Sequence, residues 1–323
     1  DYGMLGAELQ GFLGDTAGLY ERVLARQVRE RLGMTLDDLT YADLPYLWRA
    51  PAYDHVFTAE GLIPTLRATL AGMRIDLDAQ ANVHLDTAVR ELKSPRAFCS
   101  PVRVPDEIYL SVLPQGGQDD YIALLHEAGH TEHFAHISPQ LPFEYRHLGD
   151  NAVTEAFAFT FDHLVLNREW LRHYLEYEDC DDFLRFAHVS DLYFMRRYAA
   201  KLLYENQLHE QTGSLDAMAA RYSGFLSEAT LVEVPPENYL TDVDDGFYCA
   251  SYLRAWMLEG AFRMMLQDRY GMEWFREAAA GAWVRELWSN GQHFTAERLL
   301  LKHGGGRLNA DPLRHHFERA LGR

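Results

Sequence analysis

Cysteine is scarce. Three residues, Cys99, Cys180 and Cys249, are scattered over 323 positions, and no two form a C-x-x-C pair. So odd and sparse a set excludes a disulfide framework and points to a reducing compartment, the cytoplasm, with each thiol acting as a small buried apolar group. Positive charge is short as well. The 30 Lys and Arg stand against 48 Asp and Glu, a net charge of -18, which argues against partners bound through a phosphate backbone. No apolar run approaches the roughly 18 residues of a membrane span. A charged-then-apolar leader is also missing, and the chain starts at Asp1 rather than Met, as expected of a processed form or a part of something longer. Internal repeats, low-complexity tracts and long linkers are absent. What is present, 48% apolar and 13% aromatic residues, suffices to bury one large core or two medium ones.

Helical periodicity fills most of the chain. Leu19, Val23, Leu24, Val28 and Leu32 fall at three- and four-residue steps in a segment that Gly33 closes. Similar spacing predicts helices over about 58–73, 77–93, 151–176, 181–210, 214–228, 246–269 and 271–289. Strand character is confined to RAFCSPVRVPDEIYLSVLP, Arg96 to Pro114. Pro101 and Pro105 interrupt it, and EIYLSVL has the β-branched and aromatic content of a short strand. PQGGQDD then turns the chain into a helix with Asp119 or Asp120 near its N-terminus. The expected fold class is mainly α, with one small antiparallel β-sheet next to that helix.

The same helix carries the densest cluster of metal-binding side chains. YIALLHEAGHTEHFAH, Tyr121 to His136, holds four histidines and two glutamates in sixteen residues. His126, Glu127 and His130 match the H-E-x-x-H pattern of zinc peptidases. On a helix, His126 and His130 lie one turn apart and about 40° apart around the axis, so both rings can reach one ion. Glu127 sits one residue further round, placed to touch a water on that ion. Zinc lowers the pKa of such a water towards 7, and a carboxylate takes its proton as it attacks a carbonyl. Small Gly129 leaves room for another element. The bland alternative is a polar helix face whose histidines pair with neighbours.

Two patterns compete for the third ligand. The metzincin pattern would use His136, and it needs the helix to stop at a glycine so that the chain swings back. His133 occupies that glycine position, and no Gly occurs from Thr131 through Leu148. An unbroken helix would carry His136 about 9 Å along the axis from His130, too far to share an ion. The gluzincin pattern takes a glutamate from a following helix, and HLGDNAVTEAFAFTFDHLV supplies Glu155. Asp150 is a candidate N-cap there, and a lone carboxylate amid Ala, Val and Phe is costly to bury without a partner such as zinc. The chosen ligand is Glu155; the alternative has it facing solvent. Asp150, Asn151 or Asp162 could orient a ligand histidine. His133 is expected to line the cleft, and His136 to sit as a cation at the helix end.

H-E-x-G-H-x-x-H, followed 25 residues after the second histidine ligand by a glutamate in another helix, resembles the oligoendopeptidase F and thimet oligopeptidase family of zinc peptidases. KSPRAFCSPVRVPDEIYLSV resembles that family's segment before the active-site helix. GFYCASYLRAW, Gly246 to Trp256, resembles its tyrosine-bearing helix, and LLLKHGGGRLNADPL its C-terminal tail. The resemblance covers roughly residues 90–320. It implies a helical, zincin-type catalytic domain with a deep channel that admits short peptides. Glu127 would be the general base, His126, His130 and Glu155 the zinc ligands, and Tyr248 and Tyr252 the oxyanion donors. From the residues alone, Tyr248 and Tyr252 fit equally as core aromatics whose hydroxyls find partners. Two departures stand out. Family members are much longer, and they tend to carry a transition-state histidine just before the tyrosine helix. Here no histidine occurs from Glu210 to Gln292, and YLTDVDDGFY offers Asp242, Asp244 and Asp245 instead.

The sequence therefore reads as a helical portion over 1–93 followed by a metallopeptidase catalytic domain over 94–323, the two forming one continuous unit. The expected function is a cytoplasmic, gluzincin-type metallopeptidase with one zinc per chain. It would hydrolyse oligopeptides through a Glu-activated water and have neither nucleic-acid nor membrane partners. Glu107–Leu113 is expected to be an edge strand bordering the cleft, offering its main chain to the peptide. Tyr239 is the reserve oxyanion donor. The rival from another class is a non-enzymatic, zinc-containing peptide-binding protein without competent oxyanion donors. A third reading is an amidohydrolase acting on a small non-peptide substrate.

Overall fold

The computed structural model describes residues 2–210 and 214–322. Its first seven α-helices are α1 (Tyr2–Leu32), α2 (Leu44–Arg49), α3 (Leu62–Gly72), α4 (Gln118–His136), α5 (Phe143–His147), α6 (Asn151–Asp162) and α7 (Arg168–Leu175). Beyond them come α8 (Asp181–Glu210), α9 (Met218–Thr230), α10 (Tyr248–Tyr270), α11 (Ala278–Trp288), α12 (Ala296–Lys302) and α13 (Asp311–Leu321). Three short strands, β1 (Val83–Asp86), β2 (Phe98–Arg103) and β3 (Glu107–Ser111), lie between α3 and α4. No helix among the described residues is long and apolar enough to cross a membrane.

The chain folds as two compact units, each assembled from separate stretches. One comprises Asp1–Ala50, Arg185–Leu253 and Asn309–Arg323. In it Tyr204, Met218, Tyr222, Leu226 and Val234 form a buried cluster beneath partly buried Tyr41, Tyr239 and Val243. Arg196, 3% exposed, is satisfied by the carbonyls of Ala229 (2.8 Å) and Leu13 (2.7 Å) and the hydroxyl of Thr16 (2.6 Å). A buried guanidinium so fully bonded joins α1, α8 and α9 without leaving an uncompensated charge.

The other unit comprises Pro51–Leu184 and Arg254–Leu308, and α4 is its hub, flanked by α6, by β2 and β3, and by α11. Two glycines set where α4 begins. Gly116 and Gly117 have φ of +84° and +91°, a region open to glycine at little cost. The Gly117 amide donates to Phe57 O at 2.7 Å, and the Gln115 and Gly116 amides donate to the Asp120 carboxylate at 2.7 and 2.9 Å.

The sheet has the order β1-β3-β2, with β1 parallel and β2 antiparallel to β3. It is small and beside α4, as expected, but mixed rather than purely antiparallel. The periodicity over 77–93 misread β1. Only Leu77–Ala79 is a helical turn there, and Val83–Asp86 is recruited by pairing with β3, a non-local contact that overrides local propensity. The expectation that Glu107–Leu113 is an edge strand is also overturned. β3 is central, its Ile108 and Leu110 fully buried, and β2 is an edge. Pro101 lies in β2 at a register shift, where an edge strand tolerates a missing amide. Other helical spans are cut shorter than their periodicity suggests. The Asn167 side chain caps α7 by accepting from the Glu169 and Trp170 amides at 2.9 and 3.2 Å, which splits 151–176.

Candidate metal centre

The site is built where α4 and α6 cross. A Cβ added to Gly129 would lie 2.6 Å from Ala158 Cα and 2.7 Å from Phe157 O. The two backbones meet there as only a glycine allows, and Glu155 comes opposite the histidines. Glu155 Oε2 stands 3.3 Å from His126 Nε2 and 3.5 Å from His130 Nε2. One ligand atom from each of the three lies within 4.8 Å of the others. The carboxylate is 3% exposed, which excludes the solvent-facing alternative.

The far nitrogens of both rings are held. His126 Nδ1 is 2.9 Å from Asp162 Oδ2, and His130 Nδ1 is 2.9 Å from Thr154 Oγ1. Such contacts fix ring orientation and point each Nε2 at the shared space. Of the three candidates for this role, Asp162 is the one that meets a candidate ligand histidine. Asp150 instead caps α6, accepting from the Ala152 amide at 3.1 Å. It also receives Arg254 through two bonds of 2.9 and 2.6 Å, while Arg254 reaches Glu297 at 2.9 and 2.8 Å.

The electrostatics fit a cation. Burial opposes charge on His126, yet hydrogen bonds to Asp162 and Glu155 outweigh it and raise the ring to about 10. Burial would raise the Glu155 carboxyl, but hydrogen bonds from His126 and His130 hold it well below the usual carboxylate range. The proton on His126 balances the Glu155 carboxylate, and a divalent metal could take its place with release of that proton. Two imidazole nitrogens and one carboxylate oxygen are a donor set that suits zinc.

Glu127 lies next to His126 on the half-exposed side of α4. Its Oε2 accepts the Cys99 amide of β2 at 2.8 Å, so the sheet edge fixes this carboxylate. Burial pushes the Cys99 thiol up to about 12, which leaves it an unreactive neutral group. His133 and His136 depart from expectation. His133 does not line a cleft: it is wholly buried, and burial lowers its pKa to about 3. His136 is the last residue of α4, but burial and the nearby Arg285 charge discourage a proton there. Its Nδ1 meets its own Glu132 carbonyl at 2.8 Å, and the ring lies on Trp288. Neither acts as a cation at the helix end.

Tyr248 and Tyr252 belong to the other unit, on the first turns of α10, with ring centroids 5.2 Å apart. Tyr198 of α8 stacks on Tyr252 at 5.5 Å, with the Lys201 ammonium 5.5 Å from the Tyr198 ring centroid. Where the resembled family tends to have a histidine, the acids anchor the chain to α8. Asp242 pairs with Arg197 at 2.6 Å and accepts the Tyr222 hydroxyl at 2.8 Å. Asp244 pairs with Lys201 at 2.7 Å. Tyr239 packs on the core cluster of its unit, and its carbonyl accepts the Tyr204 hydroxyl at 2.6 Å. A second metal-capable group, Glu205, Asp244 and Cys249, already has its counter-charge in Lys201. Burial, first, and Glu205 keep the Cys249 thiol protonated.

Thr154, the Cys99 amide and Tyr198 had no place in the sequence reading. Thr154 carried a signal: it is a polar, β-branched residue inside an otherwise apolar helix, immediately before the glutamate. The other two depend on strand pairing and helix packing that no local pattern encodes.

No family model and no curated protein matches the sequence. Solved structures do. The metallocarboxypeptidase 1 of Trypanosoma cruzi matches with a TM-score of 0.66 at 15% identity, over 98% of this chain and 69% of that one. A carboxypeptidase from Deinococcus radiodurans matches at 0.64 and 15%, over 100% of this chain and 76% of that one. A Bacillus anthracis protein described as an oligoendopeptidase F matches at 0.64 and 16%, over 99% of this chain but 55% of that one. This chain thus spans little more than half the length of the last. At such identities the likeness establishes the fold, which is the mainly helical architecture of these peptidases.

Proposed function

We propose that this chain is a zinc metallopeptidase of the gluzincin type that hydrolyses oligopeptides in the cytoplasm. The observation that carries the reading is the convergence of His126, His130 and Glu155 within 4.8 Å, with Glu127 beside them and held by the Cys99 amide. Zinc bound there would supply Lewis acidity, lowering the pKa of a water and polarising the scissile carbonyl. Glu127 is the general base: it takes the proton of the attacking water and delivers it to the leaving amine. Asp162 and Thr154 keep the ligand rings in place. Tyr248 and Tyr252 are the oxyanion donors, since a phenol donates a hydrogen bond without bringing a charge that must be desolvated. The edge of β2 replaces Glu107–Leu113 as the strand against which a peptide would pair its main chain, because its Cys99 amide already points at the base.

Zinc-loaded protein incubated with a mixed peptide library should yield cuts readable by mass spectrometry. Glu127→Gln should retain zinc and lose turnover by on the order of 10³-fold or more, because an amide accepts no proton. Near-normal turnover in that variant would remove Glu127 as base. Peptides retained uncut by zinc-loaded wild type would favour the rival, a peptide-binding protein.

A further inference from the structure

Thr154 touches two histidines. Its Oγ1 lies 2.9 Å from His130 Nδ1 and 3.1 Å from His133 Nδ1. A hydroxyl has one proton, so it can donate to only one of these nitrogens and must accept if the other donates. What the far nitrogen of each ring does decides the direction.

His130 Nε2 faces Glu155 Oε2 at 3.5 Å and belongs to the metal-capable group. To ligate, Nε2 needs its lone pair, which places the ring proton on Nδ1, pointing at Thr154. His133 is wholly buried on the other side of the hydroxyl. The acceptor facing its ring is the Gly291 carbonyl, although no well-aligned hydrogen bond to Nε2 is closed. A carbonyl can only accept, so it favours the proton on His133 Nε2 and leaves Nδ1 to receive the Thr154 hydrogen.

We infer that His133 and Thr154 are positioning residues for the metal centre: His133 Nδ1 accepts from the Thr154 hydroxyl, which accepts from His130 Nδ1–H, so that His130 presents an unprotonated Nε2. The relay explains the third histidine of H-E-x-x-H-x-x-H. It stands three residues after His130, on the adjacent strip of α4, where its Nδ1 reaches the same oxygen. It also explains a threonine in this place. Thr160, two turns on in α6, gives its proton to the Ala156 carbonyl at 2.8 Å, whereas the Thr154 hydroxyl serves two rings. The relay rests on the zinc reading above, since ligation is what frees His130 Nε2 of its proton.

Two measurements test it on the full chain labelled with ¹⁵N-histidine. Two-bond ¹H–¹⁵N spectra of the zinc-loaded protein should give the Nδ1–H tautomer for His130 and the Nε2–H tautomer for His133. Zinc affinity, read by competition with a chromophoric chelator, should fall about 10–100-fold in Thr154→Val and return to within about threefold of wild type in Thr154→Ser. A His133 Nδ1–H tautomer, or a folded Thr154→Val with wild-type affinity, overturns the relay. If the valine variant does not fold, the wild-type spectra decide alone. Should wild type bind no zinc, the metallopeptidase reading itself fails; a zinc-binding wild type with the wrong tautomers, or with an unchanged affinity in Thr154→Val, fails the relay alone.

Discussion

Arg254 reaches in two directions, to Asp150 at the start of α6 and to Glu297 at the start of α12, so three helices depend on one guanidinium. Burial would raise the Glu297 carboxyl, but the Arg254 hydrogen bonds dominate and lower it to about 2. A carboxyl depressed in the fold stabilises it above its unfolded value of about 4.3 and loses that contribution as pH falls through about 2. Glu297→Gln should therefore cost about 1 kcal/mol at pH 7, a figure discounted because the side chain is 47% exposed. Urea melts at pH 7, 4 and 2.5 should show the gap between wild type and variant closing across that window. Tyr252 raises a separate residue-scale question, since its ring lies between Tyr248 and Tyr198. If it donates to the oxyanion, Tyr252→Phe should lower kcat by on the order of 10²-fold and leave KM and zinc content nearly unchanged. Full activity in both single Phe variants would make these tyrosines packing aromatics.

The crossing of α4 and α6 is the contact between elements on which the candidate site depends. A methyl at Gly129 would collide with main chain of α6, which cannot rotate away as a side chain can. Gly129→Ala should destabilise the protein by about 1–3 kcal/mol and weaken zinc binding more than Glu127→Gln does, as thermal melts and chelator competition would show. This crossing was legible in advance. Gly129 within H-E-x-G-H, the four-residue histidine spacing, and a lone glutamate in an apolar segment after an Asp cap are local signals that fix one helix against another. The sheet was less legible, because Val83–Asp86 becomes a strand through its register with β3, twenty-five residues away. The edge was misplaced for a related reason. EIYLSVL has the stronger strand composition, and strong composition marks a strand buried between two neighbours. Weaker, proline-bearing FCSPVR is what an edge tolerates. Buried His133 shows the limit of residue chemistry as a guide, because a histidine beside a metal site can support it from behind as well as face it.

Over the whole molecule, 48 acidic residues against 30 basic ones set a net charge of -18, enough to bias which charged ligands arrive. A field of that sign attracts cationic ligands and repels anionic ones, and salt screens both effects. If the chain is a peptidase, a Lys- and Arg-containing peptide should have a higher kcat/KM than its Asp- and Glu-containing counterpart at low ionic strength, by on the order of tenfold. The ratio should shrink towards the intrinsic preference of the site in 0.5 M salt, about a 4 Å screening length. A flat salt dependence would mean that the local field of the cleft differs from that of the molecule. The edge of β2 bears on the state of the protein in a crowded solution. A strand with an open side is a template for any extended chain, including the unfolded end of a neighbouring copy. Phe98 and Val102 are exposed at 43% and 54%, which makes that template adhesive. Pro101 has no amide to offer, Arg103 adds a charge at the end of the strand, and like-charged copies repel. These features discourage the growth of a shared sheet. Acid that discharges the surface carboxylates would weaken that barrier, exposing a route to aggregation that begins in the folded state.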